Sequence, residues 1–228
     1  MLEASGYVAL SLALFVACLQ LQRRLGLFFL NPLLLSLTLL IVCLRYWHIS
    51  YERYMTGGQF IAYFIEPAVV ALGFPLYKQL HMIGREWRAL LLICVAAVCC
   101  VLTTVVLVAR AVGIEDWVIK SAATLCITTA IAMETSDAMG GSASLAAVTV
   151  MIAGFTGSAL GLQWLRFLGI RDNRALGLAI GSASHALGTA TVARYSYESS
   201  AYASAALILC AIITAVLAPV YVPLLMAW

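Results

Sequence analysis

The sequence predicts an all-α integral membrane protein with about seven to eight membrane-embedded helical elements, at roughly 20 residues per span. It also predicts an inverted repeat with interrupted helices and a re-entrant segment, within a single transmembrane domain over residues 1–228. Three observations carry this reading. Hydrophobic residues make up 64% of the chain and charged residues 10%, with a mean hydropathy of +1.03. The few charges are clustered, leaving long uncharged stretches. Two apolar segments carry helix-breaking or ionisable residues at their centres. A soluble domain carries about 25% charged residues. A cytosolic enzyme, a nucleic-acid binder and a disordered chain are therefore excluded. The formal charge of +3 is too small for a polyanion partner.

The elements follow in order. Ala4 to Gln22 has no charge and forms the first span. Its leading charge is Glu3 and no small-x-small cleavage site precedes Arg23, so it is expected to be retained and not cleaved as a signal peptide. Leu25 to Leu44 is the second span. Tyr54 to Tyr77 is apolar but carries Glu66-Pro67 at its middle and Pro75 beyond. Proline removes a backbone donor and pushes the preceding residue out of helical geometry, so two half-helices are expected. Ala89 to Ala109 is a clean span between Arg88 and Arg110. Lys120 to Glu134 is short and rich in threonine; either its ends snorkel or the segment dips in and returns. Ala138 to Leu165, Ala175 to Ala193 and Ser199 to Trp228 complete the set. The runs are continuous and lack period-2 alternation, which excludes a β-barrel. The seven cysteines all lie in apolar runs, without a CxxC pair or metal-ligand spacing to the three histidines. They read as packing residues, and no metal or cofactor is expected.

Basic clusters set the orientation. Arg23 and Arg24, then Lys78, Arg85 and Arg88, then Arg166, Arg171 and Arg174 should all be cytoplasmic. Walking the chain, that requires Lys120 to Glu134 to be re-entrant. The elements at 25–44, 54–77 and 89–109 then run opposite to the last three, and each trio has an interrupted middle member. The second interruption is the Gly181-to-Thr191 stretch with His185 at its centre, within an element expected to cross. Gly154, Gly157 and Gly161, three and four residues apart, read as a close helix contact.

The interruptions also carry the chemistry. A half-helix N-terminus presents free N–H groups and the positive end of its dipole, which suits an anion. Candidate substrate-binding residues are Asn31, Glu66, Thr128, Thr129, Glu134, Ser184, His185, Gly188 and Thr189. The hydroxyls offer hydrogen bonds, and the glycine allows close backbone approach. His185 is either a carboxylate or proton site or a packing histidine bonded to a carbonyl. Glu66 is a proton carrier, a cation ligand or a structural carboxylate. Glu134 lies near a loop rim, and Asn31-Pro32 caps the second span or contacts substrate. Thr128 and Thr129 bond either substrate or a neighbouring helix. No nucleophile–base constellation is present, so no enzyme is expected.

Five stretches carry a resemblance. They are Asn31-Pro-Leu-Leu, Glu66-Pro-Ala-Val-Val-Ala-Leu-Gly-Phe-Pro-Leu-Tyr77, Thr128-Thr129 through Glu134, Gly140-Gly141 and Ser184-His-Ala-Leu-Gly-Thr-Ala190. In these the sequence resembles the LrgB/CidB family of bacterial membrane proteins over nearly its whole length. The resemblance implies a multi-pass protein of the bacterial inner membrane working beside a small LrgA/CidA-type partner. It implies either antiholin- or holin-like regulation of murein hydrolase export and lysis, or transport of small hydroxy- or ketocarboxylates. The latter is the activity of the plastid glycolate/glycerate translocator, whose LrgB-like part is similar. Where the family pattern carries a lysine, this chain has Leu125, with Cys126 and Ala130 replacing a serine and a proline. A carboxylate transporter coupled to protons is the expectation, and a regulator without a substrate of its own is the alternative. Transporters of this architecture often form homodimers, and nothing in the sequence identifies an interface.

Overall fold

The computed structural model describes residues 2–25, 32–64, 67 and 73–227, and every regular element among them is helical. The chain divides into two compact units, Met1–Ala68 and Val69–Trp228. Five helical segments among the described residues are long and apolar enough to cross a membrane: Glu3–Leu25, Glu86–Ala111, Ala143–Phe167, Asn173–Val192 and Tyr197–Met226. A shorter apolar helix covers Leu35–Tyr46. The chain is thus an all-α membrane protein, as its composition requires.

In the first unit, α1 (Leu2–Leu25) packs against α2 (Pro32–Tyr46) and α3 (Tyr51–Ala62). Small residues set the α1–α3 approach: a side chain on Gly57 would run into the backbone of Ala4 and come 2.9 Å from Tyr7 Cβ. Tyr54 stacks edge-on against Tyr7 at 5.9 Å and shares a 2.9 Å hydrogen bond with Ser11. Arg53 donates to Glu3 at 2.8 Å on the surface.

The second unit is built on two parallel helices, α4 (Gly73–Ala111, kinked at Glu86) and α10 (Tyr197–Met226). Their register is fixed by three polar contacts: Tyr202 Oη donates to Glu86 at 2.8 Å, Thr103 meets Tyr221 at 3.0 Å, and Arg110 donates to the Met226 carbonyl. Between them runs a seam spaced every four residues. Cys94, Val98, Leu102 and Val106 of α4 face Ala206, Cys210, Ala218 and Val222 of α10. Alanine and cysteine let the backbones approach closely, which drives association where lipid offers no hydrophobic gain. The opposite faces expose Leu92, Leu107, Val108, Val216 and Val220, as a lipid contact demands.

After α4 the chain forms first a pair of short helices and then a longer, interrupted one. Short helices α5 (Asp116–Ala122) and α6 (Thr129–Ala138) flank a turn, and α7 (Ala143–Thr156) continues through a π-turn (Gly157–Gly161) into α8 (Leu162–Phe167). The α5–α6 pair folds back on itself. The Ser142 N–H donates to Ser121 Oγ at 2.7 Å, and Gly141 packs on the Ser121 backbone, so the chain leaves this pair at the end where it entered. The expected re-entrant segment is present as a helical hairpin, and α7–α8 then carries the chain to the end occupied by Glu86 and Arg174.

Helix α9 (Asn173–Val192) departs from expectation. Its length suits a crossing, and the sequence reading takes it as one, interrupted at its centre. The interruption is a reversal. His185 has φ 40° and ψ −143°, and the residues on either side of it form two half-helices. Arg174 Nε donates to Glu198 Oε1 at 3.0 Å, and Gly177 packs on the Ser199 carbonyl. A straight α9 would hold its two ends about 30 Å apart. The six residues from Val192 to Glu198 reach at most about 21 Å. They are moreover curled, since the Ser196 N–H donates to the Val192 carbonyl at 3.3 Å. Both ends of α9 therefore lie at one end of the unit. Hence α10 runs opposite to the expected direction, and the repeat is not the two three-element groups read from hydropathy. The repeated motif is a hairpin followed by a span, α5–α6 then α7–α8, and again α9 then α10, in opposite directions.

Candidate functional site at the hairpin tips

The two hairpins enter from opposite ends and their tips meet at mid-depth. Ala123, Thr124, Cys126 and Ile127 of the first tip and Ser182 of the second line one small cavity, with Val98 and Leu102 of α4 and Cys210 and Thr214 of α10. On another side, Leu125 and Ser184 border a groove of about 770 Å3 that follows α7–α8 down to Trp164 and Leu165 and is almost wholly apolar.

The glycines of α7 and the π-turn make room for the second hairpin. A side chain on Gly157 would collide with Ser184 Oγ, one on Gly161 would come 2.7 Å from Ile180, and one on Gly154 would collide with the His185 ring. They mark the close contact that their spacing suggests.

Thr128 is the N-cap position of α6, with φ −65° and ψ 142°. Helices α3, α7, α9 and α10 all begin with a side chain bonded to a backbone N–H. Thr128 makes no such bond, and its Oγ1 is buried without a partner. The first N–H groups of α6, from Thr129 onward, are therefore left without a cap from Thr128 at a half-buried tip. Such a terminus attracts an anion.

At the second tip, Ser184 and His185 are buried, at 3% and 4% exposure. His185 Nε2 lies 2.9 Å from the Val150 carbonyl. A carbonyl only accepts, so Nε2 carries a proton and donates it to Val150. Thr189 Oγ1 donates to the His185 carbonyl at 2.9 Å, and Gly188 packs against Ser184 and Ile180. Of the sequence-derived candidates, Thr128 and Thr129 thus occupy the first tip, and Ser184, His185, Gly188 and Thr189 the second. Glu134 lies on an exposed face of α6 beyond the tip. Asn31 and Glu66 lie outside the described residues.

Two polar groups escaped the sequence reading. Thr214 is buried in α10, where it interrupts the four-residue seam of small apolar residues. That lone break in the spacing was the signal available. The other is an ionic cluster at the entry of the second hairpin. Arg174 bonds Glu86 at 3.2 Å and Glu198 at 3.0 Å, and its guanidinium lies 5.6 Å from the Tyr202 ring centre. It ties α9 to α4 and α10 and depends on contacts between residues 88 and 24 positions apart.

Comparison with known proteins gives a consistent picture. A family model described as LrgB-like family matches residues 11–224. The chain is 37% identical over 215 residues to "Uncharacterized protein YxaC" of Bacillus subtilis (strain 168), covering 94% of each chain. It is 33% identical over 218 residues to "Antiholin-like protein LrgB" of Bacillus mycoides (strain KBAB4) and of Bacillus cereus (strain B4264), covering 96% of this chain and 95% of each relative. No solved structure matches.

Proposed function

The chain belongs to the LrgB-like family of bacterial membrane proteins, and from that premise we propose that it carries a small hydroxy- or ketocarboxylate across the inner membrane at its hairpin tips. The observation that supports this most is the half-buried, uncapped start of α6, with the buried Thr128 Oγ1 unpartnered beside it. Two oppositely entering hairpins meeting at mid-depth form the kind of device in which a cargo site is exposed alternately to either side. Half-helix N–H ends face an anionic cargo in such sites. Leu125 stands at the first tip where the resemblance implies a lysine, so the anion is held by N–H groups and hydroxyls rather than by an ammonium. The end bearing Arg166, Arg171, Arg174 and Arg194 faces the cytoplasm. A small membrane protein of the LrgA/CidA type works beside it.

The test is flux of glycolate, lactate and pyruvate into proteoliposomes, with and without the small partner. Uptake above empty liposomes supports the reading, and none for any of the three, with folded protein, removes it. A second reading is favoured by the relatives named antiholin-like: the chain regulates a holin-like partner and murein hydrolase export without a cargo of its own. Restored control of lysis in cells by a variant inactive in flux would support that alternative.

A further inference from the structure

We propose that one anionic phospholipid of the cytoplasmic leaflet binds along α8 and α9, with its phosphate between Arg166 and Arg171 and an acyl chain in the apolar groove. The groove, of about 770 Å3, ends at Trp164 and Leu165 on α8 and at Ala179 and Ile180 on α9. A second pocket, of about 390 Å3, is lined by Arg166, Arg171, Asn173 and Leu176. Leu165 and Arg166 are consecutive in α8, and Leu176 lies one turn from Ile180 on the same face of α9. Groove and pocket therefore adjoin along both helices. Neither guanidinium of the pocket has a carboxylate within ion-pair distance among the described residues. The acidic side chains of this end are engaged elsewhere. Glu86 and Glu198 bond Arg174, and Asp172 accepts from the Arg174 and Ala175 N–H groups. Arg166 is set against an aromatic ring, its guanidinium 5.2 Å from the centre of Tyr195.

Depth and charge select this occupant. Thr149 and Trp164 both line the groove, and the helical rise between them is about 22 Å. One leaflet holds about 15 Å of hydrocarbon, so the groove is long enough for an acyl chain. Trp164 and Phe167 are 62% and 80% exposed, and their rings stack at 5.9 Å. Exposed rings of this kind sit at headgroup level. Arg166 lies between the two in sequence, so the pocket opens at that level. Guanidinium forks match phosphate oxygens in a bidentate way, and unpaired ones disfavour a headgroup that carries its own ammonium. Basic pockets between helices on the cytoplasmic side hold anionic headgroups. A soluble phosphate leaves the groove unfilled, and an uncharged chain leaves the arginines unpaired. A lipid with a net negative headgroup fills both parts. The other end of the groove reaches Leu125 and Ser184, so the chain packs along the first arm of the second hairpin up to the tips.

The experiment uses the purified full-length protein in detergent. Its Tm is read by tryptophan fluorescence as phosphatidylglycerol, phosphatidylcholine or inorganic phosphate is added. Tm should rise with the logarithm of phosphatidylglycerol concentration, more steeply than with phosphatidylcholine and not at all with inorganic phosphate. Arg166→Gln and Arg171→Gln should each raise the phosphatidylglycerol needed for a given shift by about fivefold, the effect of one basic residue at an anionic lipid surface. Arg88→Gln removes the same charge outside the pocket and should leave the requirement unchanged. Ala183 lines the groove from an exposed position, so Ala183→Phe should obstruct the chain and weaken the response. Should that variant not fold, dihexanoyl phosphatidylglycerol takes its place as the probe of the groove on the unaltered protein, and should stabilise less than the long-chain lipid. Equal stabilisation by phosphatidylcholine makes the groove a general lipid contact, and stabilisation by inorganic phosphate makes the pocket a soluble-anion site; either overturns the proposal. So does an equal effect of Arg88→Gln and the two pocket variants. None of these readings needs carboxylate flux, so the lipid site stands or falls apart from transport.

Discussion

Ile180 and Gly188 touch across the reversal at His185: a Cβ on Gly188 would stand 2.8 Å from Ile180 Cγ2, although eight residues of nominal helix separate them. Along a straight helix that separation is about 12 Å. The contact holds the two arms of the second hairpin together. Gly188→Leu should therefore force the arms apart, at a cost of roughly 1–3 kcal/mol or more. Gly188→Ala should cost less. Melting in detergent checks both, and a wild-type Tm for Gly188→Leu would rule out the packed hairpin.

The first hairpin offers a contrast between two buried serines. Ser121 Oγ donates to the Trp117 carbonyl and accepts from the Ser142 N–H, both at 2.7 Å. Ser136 Oγ is buried with no partner. Ser121→Ala should cost about 1–3 kcal/mol, because it orphans the Ser142 N–H. Ser136→Ala should be neutral or slightly stabilising. Equal losses in the two variants would contradict this hydrogen-bond pattern.

His185 combines a backbone role with a ring role. Its φ of 40° is strained for any residue with a Cβ, by about 1–3 kcal/mol. His185→Gly relieves that strain and His185→Ala does not, so the glycine variant should melt higher. Both lose the bond to Val150. If the ring also serves the cargo, both should lose flux, and an active glycine variant would assign His185 to the turn alone.

Leu125 lines the apolar groove and lies just before Thr128, the uncapped start of α6, in sequence. Leu125→Lys should bring an ammonium to the first tip and lower the KM for a carboxylate by about tenfold, the worth of one charge-assisted bond. An unchanged KM with intact folding would show that the cargo does not approach this tip.

Much of this was legible in the sequence for physical reasons. Charges in lipid are expensive, so their positions marked the spans and required Lys120 to Glu134 to return. Gly154, Gly157 and Gly161 announced a close contact by their spacing. The reversal at His185 was not legible, because a kinked crossing and a hairpin share the same hydropathy and the same breaker residues. Only long-range contacts such as Arg174 with Glu198 decide between them. Thr214 was hidden because a single threonine in an apolar helix ordinarily reads as packing. Glu134 drew notice as a charge in a short segment, yet it lies on an exposed face of α6 away from the tip residues.

The central claim is that two hairpins enter from opposite faces, and substituted-cysteine labelling in intact cells measures it most directly. Single cysteines at Glu115 and Gly141 flank the first hairpin, and single cysteines at Arg171 and Tyr195 flank the second, in a background lacking the seven native thiols. An impermeant maleimide should label the first pair from outside and the second pair only after the membrane is opened. Labelling of Arg171→Cys and Tyr195→Cys from opposite faces would show that α9 crosses the membrane and would contradict it.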